Sequence, residues 1–277
     1  MRERQVSGDS AAHRLLWGDP MHLTTQGIVL REVAYKESDK ILTVLTEELG
    51  KVTVSARGSR KKGGGISAAA QMLVWSEMTL YEYRQRWGLK EAVTNREFRG
   101  VREDLDRFAL ASYFAELIEL LAPDQMPAPE LLALLLNALY ALETLDRPLP
   151  LIKAAFELRA TCLAGYEPLI DRCAVCGEEA REPRFHLREG VLHCSACRER
   201  LGTGISLPLC ADSLAAMRHI VHGPARRLYS FRLARGPQKR LSDVCEAFLL
   251  TQMERGFRTL DFYKQITAKP VLRAPNP

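Results

Sequence analysis

Apolar and polar residues alternate through the first third of the chain. The alternation runs through Thr25–Val33, Ile41–Thr46, Lys51–Ala56, Met72–Tyr83 and Leu89–Arg96, all rich in β-branched and aromatic side chains, and predicts five short strands. Five strands within about 75 residues close most readily as a small OB-type barrel. Gly50-Lys51 reads as a tight hairpin turn between the second and third strands, and Gly58–Gly65 as a break after the third. From Val101 the period lengthens to three and four residues. It predicts helices over Phe108–Leu121, Leu131–Leu145, Ile152–Leu163, Asp212–His222 (capped by Asp212 or Ser213) and Ser242–Tyr263, with Leu131–Leu136 buried nearly all round. The fold class is therefore α+β and multi-domain: a disordered leader over residues 1–20, a barrel domain over 21–100, and a helical domain over 101–277. No internal repeat occurs.

One stretch fits neither period. Residues 171–200 carry Cys173-x2-Cys176 and, seventeen residues on, Cys194-x2-Cys197. Two such turns offer four thiolates to one ion at about 2.3 Å, and a complete thiolate set leaves no open position for substrate. The spacing points to one structural Zn2+ ahead of two disulfides, a redox pair or four buried thiols. Cys162, Cys210 and Cys245 bring the total to seven, an odd number that fits a reducing compartment better than a disulfide framework. His186 and His193 read as neighbours of the quartet rather than ligands.

Charge changes the picture further. The net +5 is uneven: residues 21–100 carry +4, residues 101–160 carry −5 and residues 161–277 carry +6, a distribution that suits a polyanion partner for the two basic blocks. The densest cluster, Arg57-Gly-Ser-Arg60-Lys61-Lys62-Gly-Gly-Gly65, falls between the third and fourth strands. Glycines allow close backbone approach to phosphates, and each cation that neutralises one releases a counterion; the bland alternative is a solvated loop. Tyr35, Trp75, Tyr81, Tyr83 and Trp87 lie on the same barrel, where exposed rings can stack on bases, although Trp75 reads as core. Among the C-terminal basic residues, Arg226, Arg227, Arg232, Arg235, Lys239 and Arg240 either extend the track or are solvated surface.

Enzyme signatures are absent. Gly58 to Gly63 has P-loop glycine spacing but Gly64 stands where lysine is required, and GxSxG, HExxH and deaminase motifs are missing. Asp104 and Asp106, or Glu116 and Glu119, read as solvated helix surface. No run of eighteen apolar residues occurs and the first twenty have no apolar stretch, so neither a membrane span nor a signal peptide is expected and the compartment reads as cytoplasmic.

In order, Gly27-Ile-Val-Leu-Arg31, Tyr35-x-Glu-Ser-Asp-Lys-Ile-Leu-Thr-Val-Leu-Thr46, Gly50-Lys51, Ala56-Arg-Gly-Ser-Arg60, Phe156-Glu-Leu-Arg159, Gly165-Tyr-Glu-Pro168 and Asp171-x-Cys-x-x-Cys-Gly177 resemble the RecO family of bacterial DNA repair and recombination mediators, over about residues 22–265. The resemblance implies an OB domain, a helical domain and a zinc module that some members lack. It also implies binding of single- and double-stranded DNA, annealing of complementary strands, and cooperation with RecR to load RecA onto strands coated by single-strand-binding protein, at the nucleoid. Arg57, Arg60, Lys61 and Lys62 are then the primary DNA contacts, with Arg31, Lys36 and Lys40 around the first barrel loop as secondary ones. Two other classes stay open: a non-catalytic adaptor whose helical domain recruits protein partners while DNA binding is secondary, and an enzyme with an unlisted site.

Overall fold

The computed structural model describes residues 21–61, 65–201 and 203–268. The expected leader 1–20 and Lys62 lie outside the described residues. The chain divides into two compact units between Arg96 and Glu97.

The first unit is a closed five-stranded barrel of β1 (Met21–Tyr35), β2 (Asp39–Thr46), β3 (Gly50–Ala56), β4 (Trp75–Tyr83) and β5 (Arg86–Arg96), in the order β1-β2-β3-β5-β4. The long β1 serves both halves. Met21–Ile28 pairs with β4, Gly27–Tyr35 pairs with β2, and a register shift falls between Val29 and Arg31, just past the point where the strand leaves one neighbour for the other. Closure comes from β3 running parallel to β5, with Val54 opposite Trp87 and Ser55 opposite Gly88. The period-two pattern explains the interior: Leu42, Val44, Val52, Val54, Met78 and Leu80 alternate inward and form one core with Val29, Leu89 and Trp87. Each fully buried aliphatic there contributes about 1.5–3 kcal/mol.

The expected turn at Gly50-Lys51 is displaced. β2 ends at Thr46, the connection is 47–49, and Gly50 already pairs with Thr46 as the first residue of β3. Its φ of 63° is the reason for glycine, and Lys51 stands in the strand opposite Leu45.

The second unit contains α1 (Arg99–Arg102), α2 (Leu105–Leu121), α3 (Pro129–Thr144), α4 (Leu149–Leu163), α5 (Ala211–His222), α6 (Arg235–Met253) and α7 (Arg258–Ala268). Between α4 and α5 lies a small sheet of β6 (Arg184–His186), β7 (Val191–His193) and β8 (Ser206–Pro208), ordered β7-β6-β8. The helix buried nearly all round is α4, not α3. Residues 151–158 are all buried, and α4 packs against α2, α3, α5 and α6. On α3, by contrast, Ala133, Asn137, Tyr140 and Thr144 recur at four- and three-residue spacing as an exposed stripe.

The helix expected over Ser242–Tyr263 is two helices, and the first begins seven residues earlier. The chain breaks at Glu254, whose φ is 51°, and re-enters the core through the fully buried Phe257, whose ring meets Tyr113 edge-on at 5.6 Å. Glu116 on α2 accepts the backbone N–H of Thr259 at 3.1 Å, satisfying an orphan donor at the start of α7. Asp104 likewise caps α2 by accepting the Arg107 N–H at 3.0 Å. Neither carboxylate is idle helix surface. On α5 the cap is Cys210, whose N–H donates to Ser213 Oγ at 2.8 Å, rather than Asp212 or Ser213 itself. Among the described residues no helix is long and apolar enough to cross a membrane.

Candidate metal centre and nucleic-acid interface

The two cysteine turns meet. Their four sulfurs, from Cys173, Cys176, Cys194 and Cys197, lie within 4.8 Å of one another, and Cys176 Sγ is 3.9 Å from Cys194 Sγ. A tetrahedron with 2.3 Å metal–sulfur bonds has edges of about 3.8 Å, so the quartet fits a four-coordinate ion. Local structure explains the convergence. Gly177 takes φ 76° so that its N–H returns to Cys173 O at 2.9 Å, and Cys197 N–H closes on Cys194 O at 3.1 Å.

Backbone donors point at the sulfurs: Val175 and Cys194 N–H at Cys173 Sγ, both at 3.4 Å, and Arg181 N–H at Cys194 Sγ at 3.3 Å. Burial pushes the Cys173 thiol up, but the backbone N–H groups of Cys176, Cys194 and Val175 outweigh it and bring its pKa down to about 6. Burial, sulfur hydrogen bonds and the neighbouring Cys173 and Cys176 push Cys197 up to about 12. Four thiolates this close need a cation among them. Both histidines bond groups other than the four sulfurs. His193 bonds Cys194 O at 2.8 Å through Nδ1 and Ser206 Oγ at 2.9 Å through Nε2, and His186 Nδ1 accepts the Glu189 N–H.

At the barrel, the segment after β3 folds back onto the β1–β2 hairpin. Gly58 N–H donates to Asp39 Oδ1 at 2.8 Å, Arg60 N–H to Ser38 O at 3.0 Å, and the Arg60 guanidinium to Lys36 O at 3.2 Å. Buried Ser59 donates to Ala56 O at 2.8 Å, and Gly58, at φ 69°, makes the turn that a side chain would strain. The Gly58 N–H holds the Asp39 carboxyl below its ordinary range against partial desolvation, helped by the Ser38 hydroxyl and the charges of Lys36 and Arg57. Exposed Lys36, Arg57, Arg60 and Lys61 are thereby gathered at one edge of the barrel. Arg31, also exposed, donates to Thr43 Oγ1 at 3.2 Å on β2.

Lys40 is placed differently. Its side chain is 16% exposed, and its ammonium bridges Glu32 at 2.9 Å and Ala70 O at 3.0 Å, while Glu32 also accepts Met72 N–H at 3.1 Å. It ties the β3–β4 connection to β1. The rings divide as well: Trp87 sits in the core, Trp75 is half-buried, and Tyr35 and Tyr83 are exposed beneath Lys36 and Arg84, whose charges lie 5.3 and 5.2 Å from the ring centroids. Tyr81 lies over Gly88, where a Cβ would fall 2.2 Å from its ring.

The sequence reading missed a charged network inside the helical unit. Lys153 Nζ lies 2.7 Å from Glu157 Oε1 and 2.7 Å from Glu246 Oε2, Tyr113 Oη donates to Glu157 at 2.9 Å, and Lys264 pairs with Glu246. The group joins α2, α4, α6 and α7. Glu157 is fully buried, and burial pushes its carboxyl up against the pull of Lys153. Burial works against the Lys153 ammonium, yet Glu157 and Glu246 prevail and raise its pKa. The sequence signal was a lysine and a glutamate at i,i+4 inside the apolar run of Ile152–Leu158.

Comparison with known proteins places this architecture. Residues 21–95 match the family model described as Recombination protein O N terminal, and residues 102–261 match Recombination protein O C terminal. The chain belongs to the RecO family. It is 36% identical over 245 residues to the DNA repair protein RecO of Anaeromyxobacter sp. strain K, covering 87% of this chain and 95% of that protein. It is 32% identical over 241 residues to that of Symbiobacterium thermophilum (85% and 94%), and 30% over 248 residues to that of Acetivibrio thermocellus (88% and 97%). The N-terminal RecO match coincides with the barrel, and the C-terminal one spans α2 to α6 and the cysteine quartet.

Proposed function

We propose that this RecO-family protein is a non-catalytic recombination mediator that binds single- and double-stranded DNA and anneals complementary strands. In this reading it works with RecR to load RecA onto strands coated by single-strand-binding protein, in the cytoplasm at the nucleoid. The observation that supports it most directly is the docking of 57–61 on the β1–β2 hairpin, which collects Lys36, Arg57, Arg60 and Lys61 at one edge. An annealing protein must neutralise backbone charge while leaving base edges free to find their complements, and exposed cations on a barrel rim do that. Lys62 belongs to the same run, Arg31 flanks it, and Lys40 acts through the anchorage described above. One Zn2+, held by Cys173, Cys176, Cys194 and Cys197, supplies a structural cross-link.

The test is annealing of complementary oligonucleotides by pure protein without nucleotide. The variant Arg57→Ala/Arg60→Ala/Lys61→Ala is expected to anneal more slowly at physiological salt and to flatten the slope of log K against log salt for single strands by about 2, at roughly 0.7 per lost phosphate contact. Wild-type rates and slope in that variant, or an absolute requirement for ATP, would refute the reading.

A second prediction separates position from charge. Asp39→Ala removes a negative charge from the cation edge, which by electrostatics alone would strengthen DNA binding. Because Asp39 anchors Gly58, the variant is instead expected to bind DNA more weakly, whereas Asp39→Asn, which keeps an acceptor oxygen, retains most affinity. Fluorescence anisotropy on a labelled single strand decides it; tighter binding by Asp39→Ala would show that the anchor is irrelevant.

A further inference from the structure

Residues 223–242 carry six cations and no carboxylate. All six, Arg226, Arg227, Arg232, Arg235, Lys239 and Arg240, are exposed. Their backbone is held from below. Leu228 and Tyr229 are buried, Arg159 donates to Gly223 O at 2.6 Å, Arg147 to Tyr229 O at 3.3 Å, Ser230 Oγ to Arg227 O at 2.8 Å, and His219 Nε2 lies 2.8 Å from the same oxygen. A loop charged only for solvation needs no such anchoring.

Little within the fold accounts for the charges. Arg232 reaches Asp146 at 3.8 Å with both side chains largely exposed, and Lys239 pairs with Asp243 at 2.6 Å. Among the described residues, Arg226, Arg227, Arg235 and Arg240 have no carboxylate partner. Arg235, Lys239 and Arg240 also lie in the first two turns of the nineteen-residue α6, which has no acidic residue in its first turn. Cations at the positive end of a helix dipole oppose folding, so their placement points outward, to an anion.

The anion is a polymer of phosphates rather than an acidic peptide. Peptide partners are anchored by apolar side chains, and no large hydrophobic residue between 206 and 261 is exposed; a phosphodiester chain needs only spaced charge. Five of the six cations are arginine, whose planar fork matches phosphate oxygens. We propose that this face of the helical unit binds the backbone of a nucleic-acid strand independently of the barrel edge, so that one chain holds two strands at once. The proposal rests on reading the protein as a strand-annealing DNA-binder.

The test uses the full chain and labelled oligothymidylate, whose strands cannot pair with each other. Strands bound per chain are counted at low salt, and the salt slope is measured for wild type, for Arg226→Ala/Arg227→Ala/Arg235→Ala/Arg240→Ala, for the same four positions changed to lysine, and for the barrel triple variant. Two strands per chain are expected for wild type and the lysine variant, and one for the alanine quadruple variant, with a total slope smaller by about 3. The lysine variant and a thermal melt exclude misfolding as the cause. Two strands and an unchanged slope in the alanine variant would overturn the proposal while leaving the barrel reading intact. Loss of all binding in the alanine variant, with none lost in the barrel variant, would overturn the barrel reading and the two-strand proposal together and leave this face as the single site. Polyglutamate binding more tightly than oligothymidylate to the barrel variant would assign the face to an acidic protein and overturn the proposal as well.

Discussion

Replacing Lys153 by methionine is expected to cost the helical unit about 3–5 kcal/mol, the usual penalty for removing one partner of a buried ion network. Lys153 is 4% exposed and touches both Glu157, fully buried, and Glu246. Methionine preserves most of the stem but leaves the carboxylates facing each other in low dielectric. The double variant Lys153→Met/Glu157→Leu is expected to recover most of the loss, because removing both charges also removes the desolvation cost. The pH dependence has a sign. Lys153 has a raised pKa in the fold, so its contribution is fully present below about 10.4, the ordinary lysine value, and is lost as pH rises through the folded value. In the single variant the dominant group becomes Glu157, whose pKa burial raises, so that variant gains stability as pH falls through the folded value of Glu157. Urea unfolding followed by circular dichroism from about pH 4 to 12 measures both effects. A single variant within 1 kcal/mol of wild type would show the network to be dispensable.

Chelating the metal proposed for the cysteine quartet is expected to unfold residues 171–200 while the barrel stays folded. The strands β6, β7 and β8 are three residues each, too short to persist on pairing alone, and beyond the quartet the module is held by little more than buried Phe185, Leu187 and Leu192, with Phe185 edge-on to Phe248 of α6 at 5.0 Å and Gln252 on the Leu187 and Arg188 carbonyls. Structural zinc contributes apparent binding energies of about 10–16 kcal/mol to such modules. The barrel has its own core and no share in the quartet. Loosening will reach α5, since Arg218 on that helix holds Ile170 O at 3.1 Å and Asp171 O at 2.7 Å, just ahead of the first knuckle. Hydrogen exchange before and after chelation, with metal analysis, reads this out: protection should vanish over 171–200, weaken in α5 and persist in β1–β5. Protein purified without zinc, or unchanged exchange, would rule the cross-link out.

Sequence periodicity located all five barrel strands to within a few residues because strands such as β3 alternate buried Val52 and Val54 with more open neighbours, while β2, buried from Leu42 to Thr46, was legible as a short β-branched and aliphatic run. The cysteine quartet was legible because ligand spacing is local. What was hidden depends on tertiary partners. Nothing near Lys40 announces that its ammonium belongs to Glu32 and Ala70, and in 254–257 the visible signal against a continuous helix is Gly256 alone, whose meaning emerges once Phe257 is seen to enter the core against Tyr113. The exchange of roles between α3 and α4 has the same origin: α3 is richer in leucine, but α4 is surrounded by four helices, and its two buried charges, Lys153 and Glu157, are neutralised by one another and by Glu246 on α6.

The barrel also has a seam. Most neighbouring strands are stitched over seven or more residue pairs, but β3 and β5 share two, at Val54 and Ser55, the residues that lead through Ala56 into Arg57. A wall closed by so few bonds opens locally before it opens globally. The cation edge therefore hangs from the least-stitched join in the cylinder, and Asp39 and Ser38, reaching across from the hairpin, act as a brace that keeps it in register when that join breathes.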